Sequence, residues 1–212
     1  MSRLIRIVLV ALLGAAIQTP FSLANATPLI SEVLYDAVGA DNGYVFVELY
    51  GTPGSSLSGL SLQGIKGTTG LASVTINLSG IFNANGLFVV ADDSGDGTTK
   101  VPNADLILNF DLQNGPDSVL LKSGSTVIDA LGYGVFGVGT FFAGEGSPTP
   151  DTGAGSSLAR RFANLDTNNN AADFIVLGSP TPGQAVPAPL PASLWLLMSG
   201  MVGLTAVSRR RA

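Results

Sequence analysis

The sequence predicts an all-β protein of the sandwich or barrel type, and three observations predict it. Apolar runs of strand length, rich in Val, Ile, Leu and aromatic residues, recur between clusters of Gly, Asn, Asp and Ser. Between residues 27 and 191 no helix-length window carries an apolar period of about 3.6 residues. Gly supplies 27 and Pro 12 of the 212 residues while only 12% are charged, the composition of a turn-rich chain.

The expected strands follow in order at residues 29–35, 44–50, 60–65, 73–78, 87–91, 106–110, 118–122 and 126–131. Turn chemistry separates them, as at Asp41-Asn42-Gly43 and Asn83-Ala84-Asn85-Gly86, where side-chain oxygens and glycine suit reversals. The last two strands flank Ser123-Gly124-Ser125 and read as a hairpin. No repeat of solenoid or propeller period is present.

Both ends differ from this body. Arg3 and Arg6 precede an apolar run at 7–17, and Ala24 and Ala26 then give small-x-small spacing. That is a secretory signal peptide, expected to occupy residues 1–26 and to be cut after Ala26 by signal peptidase. Near the other end, residues 192–208 carry no charge, and Arg209, Arg210 and Arg211 follow at once. As a helix this run would extend about 25 Å, enough for a weak single span, with Trp195 near an interface and the arginines on the cytoplasmic side. Ahead of it, residues 184–191 form a Pro-rich linker containing Pro187, Pro189, Leu190 and Pro191, with Ala192 opening the span.

This tripartite tail resembles the PEP-CTERM class of bacterial sorting signals, in its Pro-Leu-Pro-Ala variant. The resemblance implies transient anchoring in the inner membrane, processing by an exosortase near the proline motif, and delivery to the cell surface or extracellular matrix. Leu190 stands where the commonest form of that motif has Glu.

All 15 acidic residues lie between residues 27 and 191, against only Lys66, Lys100, Lys122, Arg160 and Arg161, so the body carries a formal −10. Such a surface argues against nucleic-acid binding. The chain has no Cys and no His, which excludes disulfides, thiol nucleophiles, Ser-His-Asp triads and zinc sites built on Cys or His. Any chemistry must come from carboxylates, hydroxyls, Lys or Arg.

Within the body, Leu29-Ile30-Ser31-Glu32-Val33, Gly43-Tyr44-Val45-Phe46-Val47-Glu48-Leu49-Tyr50 and Leu57-Ser58-Gly59-Leu60 resemble the opening of the lamin-tail domain. Gly115-Pro116-Asp117-Ser118-Val119-Leu120-Leu121, Ser157-Leu158-Ala159-Arg160, Asp173-Phe174 and Pro180-Thr181-Pro182-Gly183 fit its later parts in the same order. The resemblance implies an immunoglobulin-like β-sandwich over 27–183, used as a binding or structural module, with a Gly-rich loop at 132–156.

Several constellations could carry chemistry. Gly132, Gly134 and Gly137 spell G-x-G-x-x-G after an expected strand, but a dinucleotide site needs a helix there. Further glycines follow instead, so a Gly/aromatic loop is expected. Asp92, Ser94, Asp96 and Gly97 match the opening of a calcium loop, yet Lys100 and Asn103 occupy later ligand positions. Asp92, Asp93 and Asp96 could hold Ca²⁺ weakly, although an acidic turn explains them more simply. Asp166, Asn168 and Asn170 imitate the same spacing with Ala171 in place of the needed Gly, and Asx capping is again simpler. No cofactor other than such a weakly held Ca²⁺ is expected.

Glu32, Glu48 and Glu145 are the only glutamates, and two suitably spaced carboxylates would suffice for glycoside hydrolysis. A structural role is expected for Glu48, paired with an Arg or a backbone amide and with Arg160 or Arg161 as the candidate arginine, so that Glu48→Gln should mainly lower the melting temperature. Tyr133, Phe136, Phe141 and Phe142 either present rings to sugars or proteins or fold back onto the sandwich edge. The expected function is non-catalytic, with exopolysaccharide or another surface protein as partner. The alternatives are a carboxylate-only polysaccharide hydrolase and a calcium-dependent adhesive module.

Overall fold

The computed structural model describes residues 26–184. Strand alternation organises it. In β2 (Phe46–Tyr50) Val47 and Leu49 face one side, where they join the main core, while Phe46 faces the other. The other strands are β1 (Leu29–Leu34), β3 (Leu60–Lys66), β4 (Ala72–Asn77), β5 (Leu87–Asp92), β6 (Leu106–Leu108), β7 (Asp117–Ser123), β8 (Thr126–Tyr133), β9 (Ser157–Arg160) and β10 (Phe174–Leu177). One four-residue helix, α1 (Asn170–Asp173), precedes β10.

The strands form two sheets, a six-stranded one ordered β10-β9-β1-β2-β5-β6 and a four-stranded one ordered β4-β3-β7-β8. Ile30, Val33, Val47, Leu49, Phe88 and Val90 of the first pack on Leu62, Ile76, Val119, Leu121 and Leu131 of the second. Burying each such side chain contributes about 1.5–3 kcal/mol, and this shared core holds the all-β architecture together. All pairings are antiparallel except β5 with β6. The β5–β6 connection crosses the outer face of the larger sheet, where Val101 and Ala104 cover Leu34, Phe46, Val89 and Ala91. The eight expected strands therefore all form, and β9 and β10 are additional.

β1 is buried on both faces, which explains why its apolar run is nearly continuous. A register shift between Ile30 and Glu32 interrupts its ladder with β2. At this bulge the Ile30 amide turns across to Asp129 of β8. The expected Gly-rich loop begins only after Tyr133, because β8 runs through Gly132 and Tyr133. Among the described residues no helix is long and apolar enough to cross a membrane. The expected signal segment and the membrane tail with its sorting motif lie almost wholly outside them.

Candidate functional site

Arg160 ends β9 with its side chain fully buried and organises the largest polar cluster. Its Nη2 donates to both carboxylate oxygens of Asp129 at 2.9 Å. Nη1 reaches Asp166 and Asp173 at 3.3 Å and the Leu165 carbonyl at 3.1 Å, and Nε reaches the Ile30 carbonyl at 3.0 Å. The guanidinium also lies 4.6 Å from the centre of the Phe174 ring. Burial pushes the Asp129 carboxyl up and Arg160 pulls it back. Two guanidinium contacts plus the amides of Ile30 and Ala130 aimed at one carboxyl are the arrangement of a carboxylate, so we take it as ionised. Asp173 is lowered despite its burial, because Thr167 donates both its hydroxyl and its amide to it.

Glu145 completes this cluster. Oxygens of Asp129, Glu145 and Asp166 lie within 4.8 Å of one another. Glu145 Oε2 is buried without a hydrogen-bond partner, and burial together with the charges of Asp129 and Asp166 raises this carboxyl to about 7. Three carboxylates so close could hold a cation, but the Arg160 guanidinium already bonds to two of them. Asp129 is sealed from solvent, so a sugar could reach only Glu145 and Asp166.

Glu32 and Glu48 form a second acidic pair, facing one another across β1 and β2. Of the two kinds of partner expected, backbone amides are present, joined by hydroxyls, and Arg160 and Arg161 are not. Glu48 accepts from Ser31 Oγ at 2.6 Å and from the Gly183 amide, while Glu32 accepts from Ser157 Oγ and from the Thr181 amide and hydroxyl at 2.8 Å. Residues 180–183 thus lie as a strap over the outer face of the larger sheet, and Asn103 Nδ2 fastens it by donating to the Pro182 carbonyl at 2.9 Å. Burial, reinforced by Glu32 and Asp105, raises Glu48 to about 7. Arg161, the other candidate partner, instead donates Nε to the Ala172 carbonyl at 2.9 Å.

The residues considered for calcium are engaged with backbone. Asp92 accepts from the Gly43 and Phe110 amides, and Asp93 Oδ1 from the amides of Gly95, Asp96 and Gly97. Asp96 takes the Thr98 amide and hydroxyl, which lower its carboxyl. Asp166 caps Asn168 and meets Arg160, and Asn168 has a left-handed φ of 55°. Asn170 points inward: its Oδ1 accepts from Gly132 and Glu145, and its Nδ2 donates to the Ala130 carbonyl. Asn170 thus spends its oxygen on two amides, and Asp166 spends Oδ1 on Asn168 and Arg160. Sequence spacing gave no hint that Asn170 joins β8 to the long loop.

Of the four loop aromatics, Tyr133 is buried and stacks on Tyr35 at 4.1 Å. Tyr35 donates to Asp151 and accepts from Thr152, anchoring the loop to β1, and burial raises its hydroxyl to about 12. Phe136 and Phe142 meet edge to face at 5.0 Å, and the Phe142 ring lies against Gly132 and Gly144. Phe141 is 56% exposed. No helix follows Gly132, Gly134 and Gly137.

Beside the Arg160 cluster, Ala26, Thr27, Leu29, Tyr50, Leu165 and Asp166 line an open groove of about 510 Å³. Ala26 is exposed there, its amide donating to Thr52 Oγ1 at 2.8 Å. Ala24 and the tail residues Pro187, Pro189, Leu190, Pro191, Ala192, Trp195, Arg209, Arg210 and Arg211 lie outside the described residues. Fold and site together define an all-β protein of two packed sheets with a buried, arginine-centred carboxylate cluster. No family model, curated protein or solved structure matches the chain.

Proposed function

We propose that this chain is an exported bacterial envelope protein whose body, a lamin-tail-like immunoglobulin-type sandwich, serves as a non-catalytic binding or structural module. Signal peptidase cuts after Ala26, the apolar tail holds the chain in the inner membrane, and an exosortase acts at Pro189-Leu190-Pro191-Ala192. The body then resides at the cell surface or in the matrix, with exopolysaccharide or another surface protein as its partner. The observation that carries the non-catalytic reading is the commitment of four buried carboxylates to internal donors, Glu145 with its unpartnered Oε2 being the exception. Glu32, Glu48, Asp92 and Asp129 each accept at least two hydrogen bonds from the protein itself. The ordered match of motifs along the body and the three-part tail support the family and the route.

A glycan array combined with a reducing-sugar assay on the full chain tests the function. Binding or no binding, without turnover, is the expected outcome. Turnover abolished by Glu145→Gln would make the protein a carboxylate hydrolase instead. Mass spectrometry of envelope material tests the route, and a body ending within residues 189–192 is expected. Recovery of the intact tail at steady state would mean a permanent anchor.

A further inference from the structure

Two sheets present four edges, and this molecule manages three of them. β6 has three residues and β10 four, too short to template much pairing. β8 is closed along residues 130–132: the Gly132 amide donates to Asn170 Oδ1, its carbonyl accepts from the Thr149 amide, and the Ala130 carbonyl accepts from Asn170 Nδ2.

β4 is managed by none of these devices. It is six residues long, and Ala72, Ser73, Thr75 and Asn77 are exposed. No backbone group of Ala72–Asn77 bonds to any described residue outside its ladder with β3. It carries no charge and no proline, and no described loop bonds to its backbone; its ladder with β3 has one bulge, at Ser73, which leaves Val74–Asn77 in regular register. The uncharged stretch is far longer than the strand: from Gly67 to Ala91 the chain has no Asp, Glu, Lys or Arg. Leu71 and Ile81, on either side of β4, are 68% and 62% exposed. In a body of formal charge −10 this is a neutral strip bordered by unpaired amides and carbonyls.

We propose that the β4 edge is a self-association surface, on which a second copy of this chain adds its own β4 antiparallel about a two-fold axis. The partner is argued from charge. Two bodies of −10 repel wherever their acidic surfaces face, and the strip around β4 is where a second copy can approach without that cost. An antiparallel pairing is self-complementary, as a two-fold contact requires, and joins two four-stranded sheets into one of eight strands. With the two-fold axis at Thr75, the solvent face of the new ladder sets Thr75 against Thr75 and Ser73 against Asn77, and Thr with Thr is a favourable cross-strand pair. A six-residue edge buries less than a standard interface, so association is weak and is completed by the crowding of a matrix. The inference names a partner for the structural role proposed above. Glycan turnover would sink that role and leave edge association standing, whereas a monomeric chain would sink only this inference.

Sedimentation of the full chain in density-matched detergent, from micromolar to millimolar protein, tests it. The mass is expected to rise toward twice the monomer. Ser73→Lys/Thr75→Lys should abolish that rise, while Val127→Lys, the same kind of charge on exposed β8, should not. The apolar ends are identical in all three proteins, so association through them would survive the β4 lysines and would overturn the proposal. A wild-type chain that stays monomeric to millimolar concentration would overturn it equally. Thermal melts check that the variants fold, with Thr75→Lys alone as the milder substitution. Hydrogen exchange on the wild type adds a readout free of mutation: amides within Ala72–Asn77 must become more protected as concentration rises.

Discussion

Glu32 and Glu48 stand directly opposite one another on β1 and β2, and one short strap, residues 181–183, donates to both carboxyls. Two like charges side by side on a sheet face destabilise it unless donors compensate or a proton is taken up. Both occur here, since Ser31, Ser157, Thr181 and Gly183 supply donors and Glu48 rises to about 7.

The rise fixes the sign of a pH dependence. Glu48 holds its proton in the folded state up to about 7, against 4.5 as the ordinary value. The folded state therefore binds more protons between those values, and stability is greatest at the acidic end and falls as pH rises through that window. The loss from this one group is on the order of 2–3 kcal/mol. Glu145, also raised to about 7, adds a smaller slope of the same sign because it is more exposed. Urea denaturation at pH 5, 6, 7 and 8 should show the decline.

Glu48→Gln sharpens the test and changes the expectation drawn from sequence. A lower melting temperature followed from a charged Glu48 held by an arginine or an amide, but Glu48 meets a hydroxyl and an amide with its carboxyl raised to about 7. Glutamine reproduces the protonated acid: its oxygen can accept from Gly183 while its amide donates to Ser31. The variant should match the wild type near pH 5 and equal or exceed it at pH 8. A uniform loss of stability at both pH values would show that the charged form is the one the fold requires.

Arg160 is the opposite case, a charge the fold cannot lose. Arg160→Met strands the sealed Asp129 carboxylate beside Asp166 and Asp173, and removing one member of a buried pair costs about 3–5 kcal/mol. Arg160→Lys should recover little, because a lysine cannot reproduce six hydrogen bonds to five residues spread across a planar fork. Pairing Arg160→Met with Asp129→Leu should cost clearly less than the sum of the single changes in equilibrium denaturation. Simple additivity would mean the two side chains act independently.

Much of the fold is legible along the chain because strand alternation and turn chemistry are local. The runs at 29–35, 44–50 and 118–122 declare themselves that way, and each becomes a strand. β9 and β10 do not, since four residues carry too little pattern; β9 forms by pairing with β1, far away in sequence, and β10 by pairing with β9. The parallel β5–β6 pairing is hidden for the same reason. Side-chain partners are less legible still. Glu48 finds an amide 135 residues away, and Asn170, which looks like a turn or calcium residue, fastens β8 to the loop. Asp93 and Asp96 are the exception, because Asx chemistry acts within a few residues.

Those Asx contacts predict the response to calcium. Asp93 Oδ1 already takes three amides, and Asp96 Oδ1 takes the Thr98 amide and hydroxyl. A cation there must compete with these bonds or with Arg160 at Asp166. Millimolar calcium and chelator should therefore leave the melting temperature unchanged. A calcium-dependent rise that Asp93→Asn abolishes would restore the adhesive alternative.

Gly132 opens the G-x-G-x-x-G sequence, and its reason for being glycine is a ring rather than a phosphate. Its backbone is ordinary strand, so conformation alone would admit a side chain. A Cβ at this position, however, would overlap the Phe142 ring, which lies against the strand. Gly132→Ala should therefore destabilise by displacing that ring and the Asn170 contact to the Gly132 amide. Overpacking of this kind costs about 1–3 kcal/mol. Phe142→Ala removes the obstacle at the expense of the ring's own packing against Phe136. The two changes should then couple: once Phe142 is alanine, adding Gly132→Ala should cost little more. A cost for Gly132→Ala that is the same in both backgrounds would place the requirement for glycine in the backbone instead.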